Sequence, residues 1–299
     1  MRVIFLGTSG STPTKTRNLP SVALEYNGSI YLFDCGEGTQ RQMLRYSVNT
    51  SKVKAIFISH IHGDHVIGVA GLVRTMALNK RSKPLYIFVP RGYENSISAL
   101  ITFDKALIGF PIEVMPISSG KIYEEREFIV KAVKLNHFIP TYGFIFEEKE
   151  KIHFIKEKAE KLGLRGSMFS ELAKRKKMLV SGKEIKLSDV TYKERGIKIA
   201  YITDTRPVPG IVKPLKDANL LIHEATFSSK DIALAKERKH STSGEAAQIA
   251  ARANVERLIL MHISSRYRST AKILNESRLI FRNSEIAKDG MVVDLGKGS

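Results

Sequence analysis

Short runs of apolar residues recur along this 299-residue chain, and many of them stop at a polar or charged side chain. The runs are rich in β-branched and aromatic residues, which is typical of buried strands. They predict strands at residues 3–6, 22–25, 29–33, 55–58, 85–89, 112–115, 128–135, 142–146, 197–203, 220–224, 258–261 and 291–295. Asn27 and Gly28 separate the second and third runs, and this dipeptide favours a tight hairpin.

Apolar residues at helical spacing follow several of these strands and predict a helix after them. Helices are expected over residues 66–78 and 94–101, in the segment that contains Met43 and Leu44, and after Thr242, which has capping-box spacing to a glutamate. The length suits one large domain or two. Strands that alternate with helices predict an α/β protein, sheet-rich and layered, with its ligands gathered at one edge.

The stretch SHIHGDH at 59–65 carries the densest candidate chemistry, because it follows a buried strand and combines three histidines with an aspartate. His60 and His62 are two positions apart in extended chain, so their side chains point to one side and can bind one ion together. Asp64 and His65 come after the chain has turned and face a different direction, which suits a second metal. Imidazole and carboxylate ligands favour zinc, with manganese or iron as alternatives.

Four later strands also end in a residue that can bind a metal or move a proton: His137, Asp204, Glu224 and His262. Alone, His137 would be an ordinary core or surface histidine, but beside an incomplete site upstream it becomes a candidate third imidazole. Asp204 directly follows a buried strand, and its two oxygens suit a bridge between two metals. His240 lies just outside a helix N-terminus, a place that also attracts phosphate.

Two further segments leave their alternatives open. Asp34 ends a strand, and it is either a partner that orients a metal-bound histidine or simply the end of that strand. The polar loop at residues 7–18 contains small residues that let the backbone approach a ligand, and its Lys15 and Arg17 suit contacts with phosphates. A flexible, solvated loop explains the same composition equally well.

The net charge of +18 is the most informative global property. Such an excess favours a polyanionic partner, with nucleic acid ahead of a membrane surface. No apolar run approaches the roughly 18 residues that span a bilayer, and the first apolar stretch is too short for a signal peptide. The single cysteine, Cys35, excludes an intrachain disulfide and suits a reducing cytosol. We therefore expect a cytoplasmic protein with no membrane partner.

The composition changes over residues 147–177, where ten Lys or Arg stand against six Glu. β-branched residues are few there, and two glycines interrupt the pattern. We expect an inserted helical arm, within residues 147–196 of a single 1–299 domain, that buries little and projects from the core. Contact with RNA and a solvated pair of charged helices are equally good interpretations of the arm.

Six segments resemble one known family, and they occur in the family's order. They are PTKTRN (13–18), DCGEGTQ (34–40), TDTRP (203–207), HEATF (223–227), HST (240–242) and HISSRY (262–267). Together with the His-x-His-x-Asp-His motif and His137, they resemble the metallo-β-lactamase fold, an αββα four-layer sandwich. Within that fold, the chain is similar to the short form of the tRNA 3′-processing endonuclease family, ribonuclease Z.

The resemblance implies two zinc ions per chain, with manganese or another divalent metal as the alternative. The implied ligands are His60, His62 and His137 for one ion, Asp64, His65 and His262 for the other, and Asp204 as the bridge. It also implies that Asp64 orients or deprotonates the attacking hydroxide. His240, held by Glu224, would donate a proton to the leaving 3′ oxygen.

The resemblance also implies substrate contacts. Those residues are Lys15, Arg17 and Asn18 in the loop associated with rejecting CCA-ending tRNA, Thr242 in the HST segment, and Ser264, Ser265 and Arg266 near the cleavage point. The family's arm carries a Gly-Pro-rich stretch, whereas this chain has LRGSMF at 164–169. A homodimer is implied as well.

These expectations together predict a zinc-dependent endoribonuclease that acts on precursor tRNA. It would remove the 3′ trailer by cutting after the discriminator nucleotide, and it would leave a 3′-hydroxyl on the tRNA. The alternative is a small-molecule metallohydrolase of the same fold, such as a thioesterase or a lactonase, which would have no use for a charge of +18. A non-enzymatic RNA-binding module is disfavoured, because the sets of ligands and proton donor are complete.

Overall fold

The computed structural model describes residues 1–103 and 108–296. The strands predicted from sequence are present, most of them within a few residues of the expected bounds. In chain order the strands are β1 Arg2–Gly7, β2 Ser9–Gly10, β3 Ser21–Tyr26, β4 Ser29–Phe33, β5 Val53–Phe57, β6 Leu85–Pro90, β7 Ile112–Ile117, β8 Gly120–Glu124, β9 Phe128–Lys134, β10 Tyr142–Glu148, β11 Lys151–Phe154, β12 Lys177–Val180, β13 Lys183–Lys186, β14 Thr191–Glu194, β15 Lys198–Ile202, β16 Leu220–Glu224, β17 Leu258–Met261, β18 Ile263–Ser264, β19 Ser284–Ile286 and β20 Val292–Asp294.

The helices lie mostly between strands, as the sequence predicts. They are α1 Thr39–Arg45, α2 Gly63–Val66, α3 Gly68–Leu78, α4 Glu94–Thr102, α5 Lys156–Lys161, α6 Met168–Arg175, α7 Val212–Leu215, α8 Ile232–Glu237, α9 Ser243–Arg252 and α10 Ala271–Arg278. The helix expected over residues 66–78 is present as α3, with the separate short helix α2 in front of it. Within the described ranges, no helix has the length and apolarity needed to cross a bilayer.

Two seven-stranded sheets form the centre of the fold. Their strand orders are β20-β1-β3-β4-β5-β6-β7 and β19-β17-β16-β15-β10-β9-β8. Strands β4 to β7 are parallel in the first sheet, and β15, β16, β17 and β19 are parallel in the second. A short parallel pair, β2 with β18, joins the start of the chain to the segment after β17. Parallel strands bring their carboxyl ends to one edge, which is where α/β proteins place their ligands.

Three hydrophobic clusters fill the spaces between the layers. One lies between the two sheets, where for example Phe57 of β5 and Phe144 of β10 have ring centroids 5.6 Å apart. The second packs α3 and α4 against the first sheet, and the third packs α9 and α10 against the second. Successive residues of one strand enter different clusters, as with Leu221 and Ile222 of β16, because side chains alternate along a strand. The predicted αββα sandwich is confirmed.

Local sequence signals succeeded at some positions and failed at others. The Asn27-Gly28 hairpin forms between β3 and β4, and both residues have positive φ angles, 47° and 76°, as a tight type I′ turn requires. Strands β8 and β19 were not predicted. β8 is an edge strand with a mostly exposed surface, and β19 has three residues, so neither shows a clear hydrophobic period.

The charged insertion joins β10 to β15, which pair directly in the second sheet. It contains α5 and α6, and also two antiparallel strand pairs, β11 with β14 and β12 with β13. Its own hydrophobic cluster consists of the buried residues Ala159, Leu164, Leu172, Val180, Ile185, Leu187 and Val190. The expected helices are present as α5 and α6, but the strand pairs were not expected, and the arm buries more than the expectation allowed. β12 and β13 form a hairpin, whereas β11 and β14 come from opposite ends of the insertion, and helical periodicity reveals neither pairing.

Candidate metal centre

The seven expected metal ligands come together where strands of the two sheets end. They are His60 and His62 after β5, Asp64 and His65 on α2, His137 after β9, Asp204 after β15 and His262 after β17. The short helix α2 turns the chain directly after the first two histidines, so Asp64 and His65 face a different part of the same space. The fold thus gathers ligands from four separate segments of the chain, namely residues 60–65, His137, Asp204 and His262.

One group of ligand atoms consists of His60 Nε2, His62 Nδ1, His137 Nε2 and Asp204 Oδ2. His60 Nε2 lies 3.0 Å from His62 Nδ1 and 3.5 Å from Asp204 Oδ2. His137 Nε2 lies 3.4 Å from His62 Nδ1 and 3.9 Å from Asp204 Oδ2. Four bonds of about 2.0–2.2 Å in a tetrahedron separate the ligand atoms by about 3.3–3.6 Å. This group therefore has the spacing that one tetrahedral ion requires.

A second group consists of Asp64 Oδ2, His65 Nε2, His262 Nε2 and Asp204 Oδ1. His65 Nε2 lies 3.4 Å from Asp64 Oδ2 and 3.6 Å from Asp204 Oδ1. His262 Nε2 lies 3.2 Å from Asp204 Oδ1 and 3.6 Å from Asp64 Oδ2. The two oxygens of Asp204 face different groups, which is the arrangement of a carboxylate that bridges two metals.

The second ring nitrogen of four of these histidines has a hydrogen-bond acceptor of its own. The acceptors of the Nδ1 protons are Ser59 Oγ for His60 (2.9 Å), Asp34 Oδ2 for His65 (2.7 Å), Lys239 O for His137 (3.1 Å) and Thr226 Oγ1 for His262 (2.9 Å). The Ser59 and Thr226 hydroxyls donate their own protons to carboxylates, so they accept from the imidazoles. Each Nε2 therefore presents a lone pair to the ligand groups.

Two of these nitrogens are buried without a hydrogen-bond partner among the described residues: His65 Nε2 and His262 Nε2. A buried polar atom without a partner is costly unless an ion or a water occupies the adjacent space. Both atoms point into the second ligand group, where an ion would pair with each of them. The donor set, imidazole nitrogen and carboxylate oxygen with no thiolate, therefore fits a pair of divalent metal ions.

Asp34 does more than end a strand. Its backbone is left-handed, with φ of 58°, and its carboxylate is fully buried. The carboxylate accepts from Ser59 N at 2.7 Å, from Tyr201 Oη at 2.7 Å and from the ring of His65. Because Tyr201 belongs to the second sheet, this bond ties that sheet to the segment that carries His65. The open alternative at Asp34 is thereby resolved in favour of the orienting role.

The pKa values of the histidines follow from burial and from nearby carboxylates. Burial lowers the pKa of His60, His62 and His137, so they are neutral at physiological pH, the form that binds metal. Burial acts in the same direction on His65, but the carboxylates around it, Asp204 foremost, outweigh burial and raise the pKa of His65. Metal binding at His65 Nε2 therefore competes with protonation of that nitrogen.

The expected proton donor and its partner are in contact. His240 Nδ1 lies 3.1 Å from Glu224 Oε1, and the His240 ring stacks on that of His262 with centroids 5.4 Å apart. Burial works to lower the pKa of His240, but Glu224 and Asp204 raise it to about 9. Burial works to raise the pKa of Glu224, but His240 holds that pKa below its ordinary value. At neutral pH a protonated imidazole therefore faces the metal ligands.

Arg206 and Glu245 hold the segment that contains His240. Arg206 Nη1 donates to the His240 carbonyl at 2.5 Å and to Glu245 Oε2 at 2.9 Å. Thr242, expected as a substrate contact, closes the capping box of α9: its amide donates to Glu245 Oε2 at 2.9 Å, and its hydroxyl accepts from the Glu245 amide at 3.3 Å. These bonds fix where His240 lies at the start of that helix.

The three expected contacts in the first polar loop have different surroundings. Lys15 is exposed to solvent. Arg17 Nη1 donates to Thr8 Oγ1 at 2.7 Å and to a backbone carbonyl near the C-terminal end at 2.6 Å. Asn18 Nδ2 donates to a backbone carbonyl at 2.8 Å. Lys15 is thus presented to the outside, while Arg17 and Asn18 make bonds that hold the loop.

Asp289, which no sequence pattern singled out, also holds this loop. Its carboxylate accepts from Asn18 N at 2.6 Å, from Thr8 Oγ1 at 2.7 Å and from Gln42 Nε2 at 2.9 Å. The only local signal is an Asp-Gly pair, which predicts a turn and no more. Its main partner is 271 positions away in the chain, so the sequence pattern had no means of connecting the two.

The loop faces the other expected substrate contacts across an open cleft of about 650 Å³. Residues 14–17 line one side of this cleft, and Ser264 and Ser265 lie on the other. Ser265 Oγ is 3.1 Å from Thr12 Oγ1, so the two sides touch at one end. Arg266 lies nearby, with its guanidinium carbon 5.1 Å from the centre of the Phe227 ring. Ile263, which directly follows the ligand His262, is among the residues that line the cleft.

The αββα fold and a shared-carboxylate site at its strand ends define the class: a metal-dependent hydrolase of the metallo-β-lactamase superfamily. In agreement, residues 173–263 match the family model described as a beta-lactamase superfamily domain. Residues 1–162 match the model described as anti-Pycsar protein Apyc1. Neither model spans the whole chain, and both end or begin inside the charged insertion.

Full-length relatives identify the family. Ribonuclease Z of Methanothermobacter thermautotrophicus is 39% identical over 297 residues, which cover 99% of this chain and 97% of the relative. Ribonuclease Z of Crocosphaera subtropica is 39% identical over 310 residues and covers 100% of this chain and 99% of its own. The crystal structure of human tRNase Z, short form, is 29% identical with a TM-score of 0.74, over 99% of this chain and 100% of that one. The chain belongs to the ribonuclease Z family.

Proposed function

We propose that this protein is a zinc-dependent endoribonuclease that removes the 3′ trailer of precursor tRNA. It cuts after the discriminator nucleotide and leaves a 3′-hydroxyl on the tRNA. The observation that carries the proposal is Asp204, whose two oxygens face separate ligand groups in a chain that is related over its full length to ribonuclease Z proteins. Such a site suits the cleavage of a phosphodiester, because the attacking and the leaving oxygen both carry developing charge.

The proposed metal ions are two zinc ions, with manganese as the alternative. His60, His62 and His137 hold one and Asp64, His65 and His262 the other. When bound, they supply Lewis-acid stabilisation of charge on the phosphate and the leaving oxygen. The ring nitrogens directed into the two groups and the absence of sulfur ligands support this choice.

The chain's own residues handle the attacking water and the proton. Asp64 Oδ2 is held by Ser11 N at 3.0 Å. The second oxygen of this carboxylate is assigned to orienting the water that attacks phosphorus and to taking its proton, and solvent reprotonates His240 after each cut. As the bond from phosphorus to O3′ breaks, His240 gives its proton to O3′. Glu224 keeps His240 protonated and fixes its ring, because it accepts the Nδ1 proton. The trailer leaves with the phosphate, and the tRNA keeps its 3′-hydroxyl.

Substrate binding is assigned to the cleft and to the charged arm. In the cleft, Lys15 meets the 3′ end while Arg17 and Asn18 shape the loop around it. Ser264, Ser265 and Arg266 contact the phosphates beside the cut, and Thr242 holds the helix end next to them. The arm, within residues 147–196, grips the tRNA at a distance from the cut. Its support is the basic run Lys174 to Lys177 and the net charge of +18.

We further propose a homodimer in the cytoplasm. Leu44 of α1 and Leu78 of α3 are 83% and 82% exposed, and the two helices pack side by side. Apolar side chains with this exposure on two adjacent helices favour burial against a second copy. The free thiol of Cys35 suits a reducing compartment. Light scattering of the wild type and of Leu44→Glu measures the oligomeric state directly.

Cleavage of a 3′-extended precursor tRNA by zinc-loaded protein tests the function. The expected result is a single cut after the discriminator nucleotide that Asp64→Ala abolishes. A tRNA that already ends in CCA should remain intact, and its cleavage would overturn only the discrimination assigned to the Lys15 loop. If the protein binds zinc and hydrolyses bis(p-nitrophenyl) phosphate but leaves the precursor uncut, a small-molecule metallohydrolase replaces the proposal.

A further inference from the structure

Phe138 exposes an aromatic ring directly beside the ligand groups. The residue is 59% exposed although it follows the ligand His137. Its ring centroid lies 5.4 Å from that of His137, which in turn lies 5.2 Å from that of His240. A scattered exposed aromatic needs no explanation on a protein surface. The Phe138 ring, however, lies next to the residues assigned to surround the reacting phosphate, so its exposure there suits a contact with the substrate.

Lys239 joins Phe138 to the segment that carries His240. Its ammonium nitrogen lies 4.8 Å from the centre of the Phe138 ring, a distance typical of a cation–π contact. The same ammonium donates to the His137 carbonyl at 3.4 Å, and the Lys239 carbonyl accepts from the ring of His137 at 3.1 Å. Lys239 has a left-handed backbone, with φ of 53°, that few non-glycine residues adopt. Three contacts thus hold the ring and the ammonium together at the edge of the site.

We propose that Phe138 and Lys239 form a stacking platform for one base of the RNA, the base of the nucleotide on the 5′ side of the cut. The inference rests on the proposed function. His240 gives its proton to O3′, and O3′ belongs to that nucleotide. Its ribose therefore lies at His240, and its base lies within one nucleotide's reach of the Phe138 ring.

The chemistry of the pair suits an RNA base better than other ligands. An exposed ring stacks on any base, because every base has a π face, and a neighbouring cation attracts the adjoining phosphate. The Phe138 ring has no hydrogen-bonding group, and the Lys239 ammonium already faces that ring and the His137 carbonyl, so neither selects one base over another. The platform therefore contributes affinity at the discriminator position without demanding a particular base there, which suits an enzyme that acts on many tRNAs.

Substitution of the ring tests the platform. Phe138→Ala should lower kcat/KM for a 3′-extended precursor tRNA by about 5- to 150-fold, the fold-change that corresponds to the loss of one base–aromatic stack. Phe138→Tyr keeps the stacking face and should retain most of the activity. Phe103→Ala is the matched control, because that ring is 70% exposed at the end of α4, in the helix layer of the first sheet. Metal content and melting temperature should be the same in all three variants and in the wild type.

Substrates without a base at one position identify the nucleotide. A precursor with an abasic discriminator should lose activity with the wild type, and Phe138→Ala should then cost little more, because the stack is already gone. An abasic first trailer nucleotide should leave the full effect of Phe138→Ala in place. Equal effects of Phe138→Ala on the intact and the abasic-discriminator substrate would overturn the proposal, as would an unchanged kcat/KM. Failure of the wild type to cut any precursor would instead contradict the proposed function.

Discussion

At the scale of single residues, the site depends on which ring nitrogen of each histidine carries the proton. Four histidines give their Nδ1 proton to an acceptor and keep Nε2 for the ligand groups. His240 differs, because the carboxylate of Glu224 both accepts from its Nδ1 and raises its pKa to about 9. One residue type thus serves two purposes, and the partner of each ring decides which.

The pH dependence of cleavage tests this assignment of His240. Its role requires the protonated form, so activity should be present below the raised pKa and should be lost as the pH rises through about 9. Glu224→Gln removes the charge that raises the pKa, and the alkaline decline should therefore move to lower pH. Activity of this variant at pH 7 should fall about 10- to 100-fold, as is typical when the partner of a site histidine is lost.

A profile of kcat/KM against pH for the wild type and for Glu224→Gln makes the comparison. Metal content must be equal in the two proteins, and the melting temperature shows whether the variant is folded. An alkaline decline at the same pH in both would assign the titration to a group other than His240.

Asp289 allows a second test at this scale, because it holds the loop at residues 7–18, to which substrate binding is assigned, without entering the ligand groups. Asp289→Asn places an amide nitrogen near donors that now meet a carboxylate, so the Asn18 end of the loop should loosen. KM for precursor tRNA should rise about tenfold, the equivalent of about 1.4 kcal/mol, with little change in kcat. Asp294→Asn is the matched control, since that side chain is 74% exposed on β20. A fall in kcat with unchanged KM would show that Asp289 acts on the chemistry instead.

At the scale of elements, the charged insertion is a separate unit joined to adjacent strands. β10 and β15 pair from Glu147 opposite Lys198 onwards, so the sheet does not need the insertion to bring these strands together. The insertion keeps its own hydrophobic cluster. Its basic residues are carried on elements that form their own core, which suits contact with a large substrate away from the cut.

Replacement of residues 150–195 by a short Gly-Ser turn separates the two tasks. The shortened protein should fold, bind metal and hydrolyse bis(p-nitrophenyl) phosphate like the wild type. Its KM for precursor tRNA should rise at least about tenfold, because contacts to phosphates are lost. A milder variant, Lys174→Gln with Lys177→Gln, should shift KM in the same direction while the arm stays folded. An unchanged KM in both variants would show that the arm does not contribute to tRNA binding.

At the scale of the whole molecule, the dominant property is the excess of positive charge. The chain carries 48 Lys and Arg against 30 Asp and Glu. Such an excess attracts a polyanion over a distance and releases its counterions on contact. A small substrate with one charge gains little from it, so the charge itself points to nucleic acid.

Salt should therefore distinguish the two kinds of substrate. Under subsaturating conditions, cleavage of precursor tRNA should fall at least about tenfold between 50 and 200 mM salt through counterion release. Hydrolysis of bis(p-nitrophenyl) phosphate by the same protein should change by less than about twofold. Equal salt dependence for the two substrates would show that the net positive charge does not contribute to tRNA binding.

Local sequence patterns predicted much of the fold. Short apolar runs predicted most strands of both sheets, and Asn27-Gly28 predicted the hairpin between β3 and β4. The family resemblance then gave the four-layer arrangement, which the pattern of runs alone leaves unassigned. β2, β8, β18, β19 and the strands of the arm were missed, because these strands are short or most of their residues are exposed, so they show no clear hydrophobic period.

The sequence by itself determined the residue types at the strand ends, the charge of the arm and the excess of positive charge, since each depends on neighbours along the chain or on composition. Only the tertiary structure decided how these meet. In the folded chain the two oxygens of Asp204 face separate ligand groups, and the Asp34 carboxylate accepts a hydrogen bond from the His65 ring. Asp289 accepts a hydrogen bond from Asn18, 271 positions away in the chain. These contacts arise from strand pairing between remote segments, and no local period in a sequence encodes which remote segments will pair.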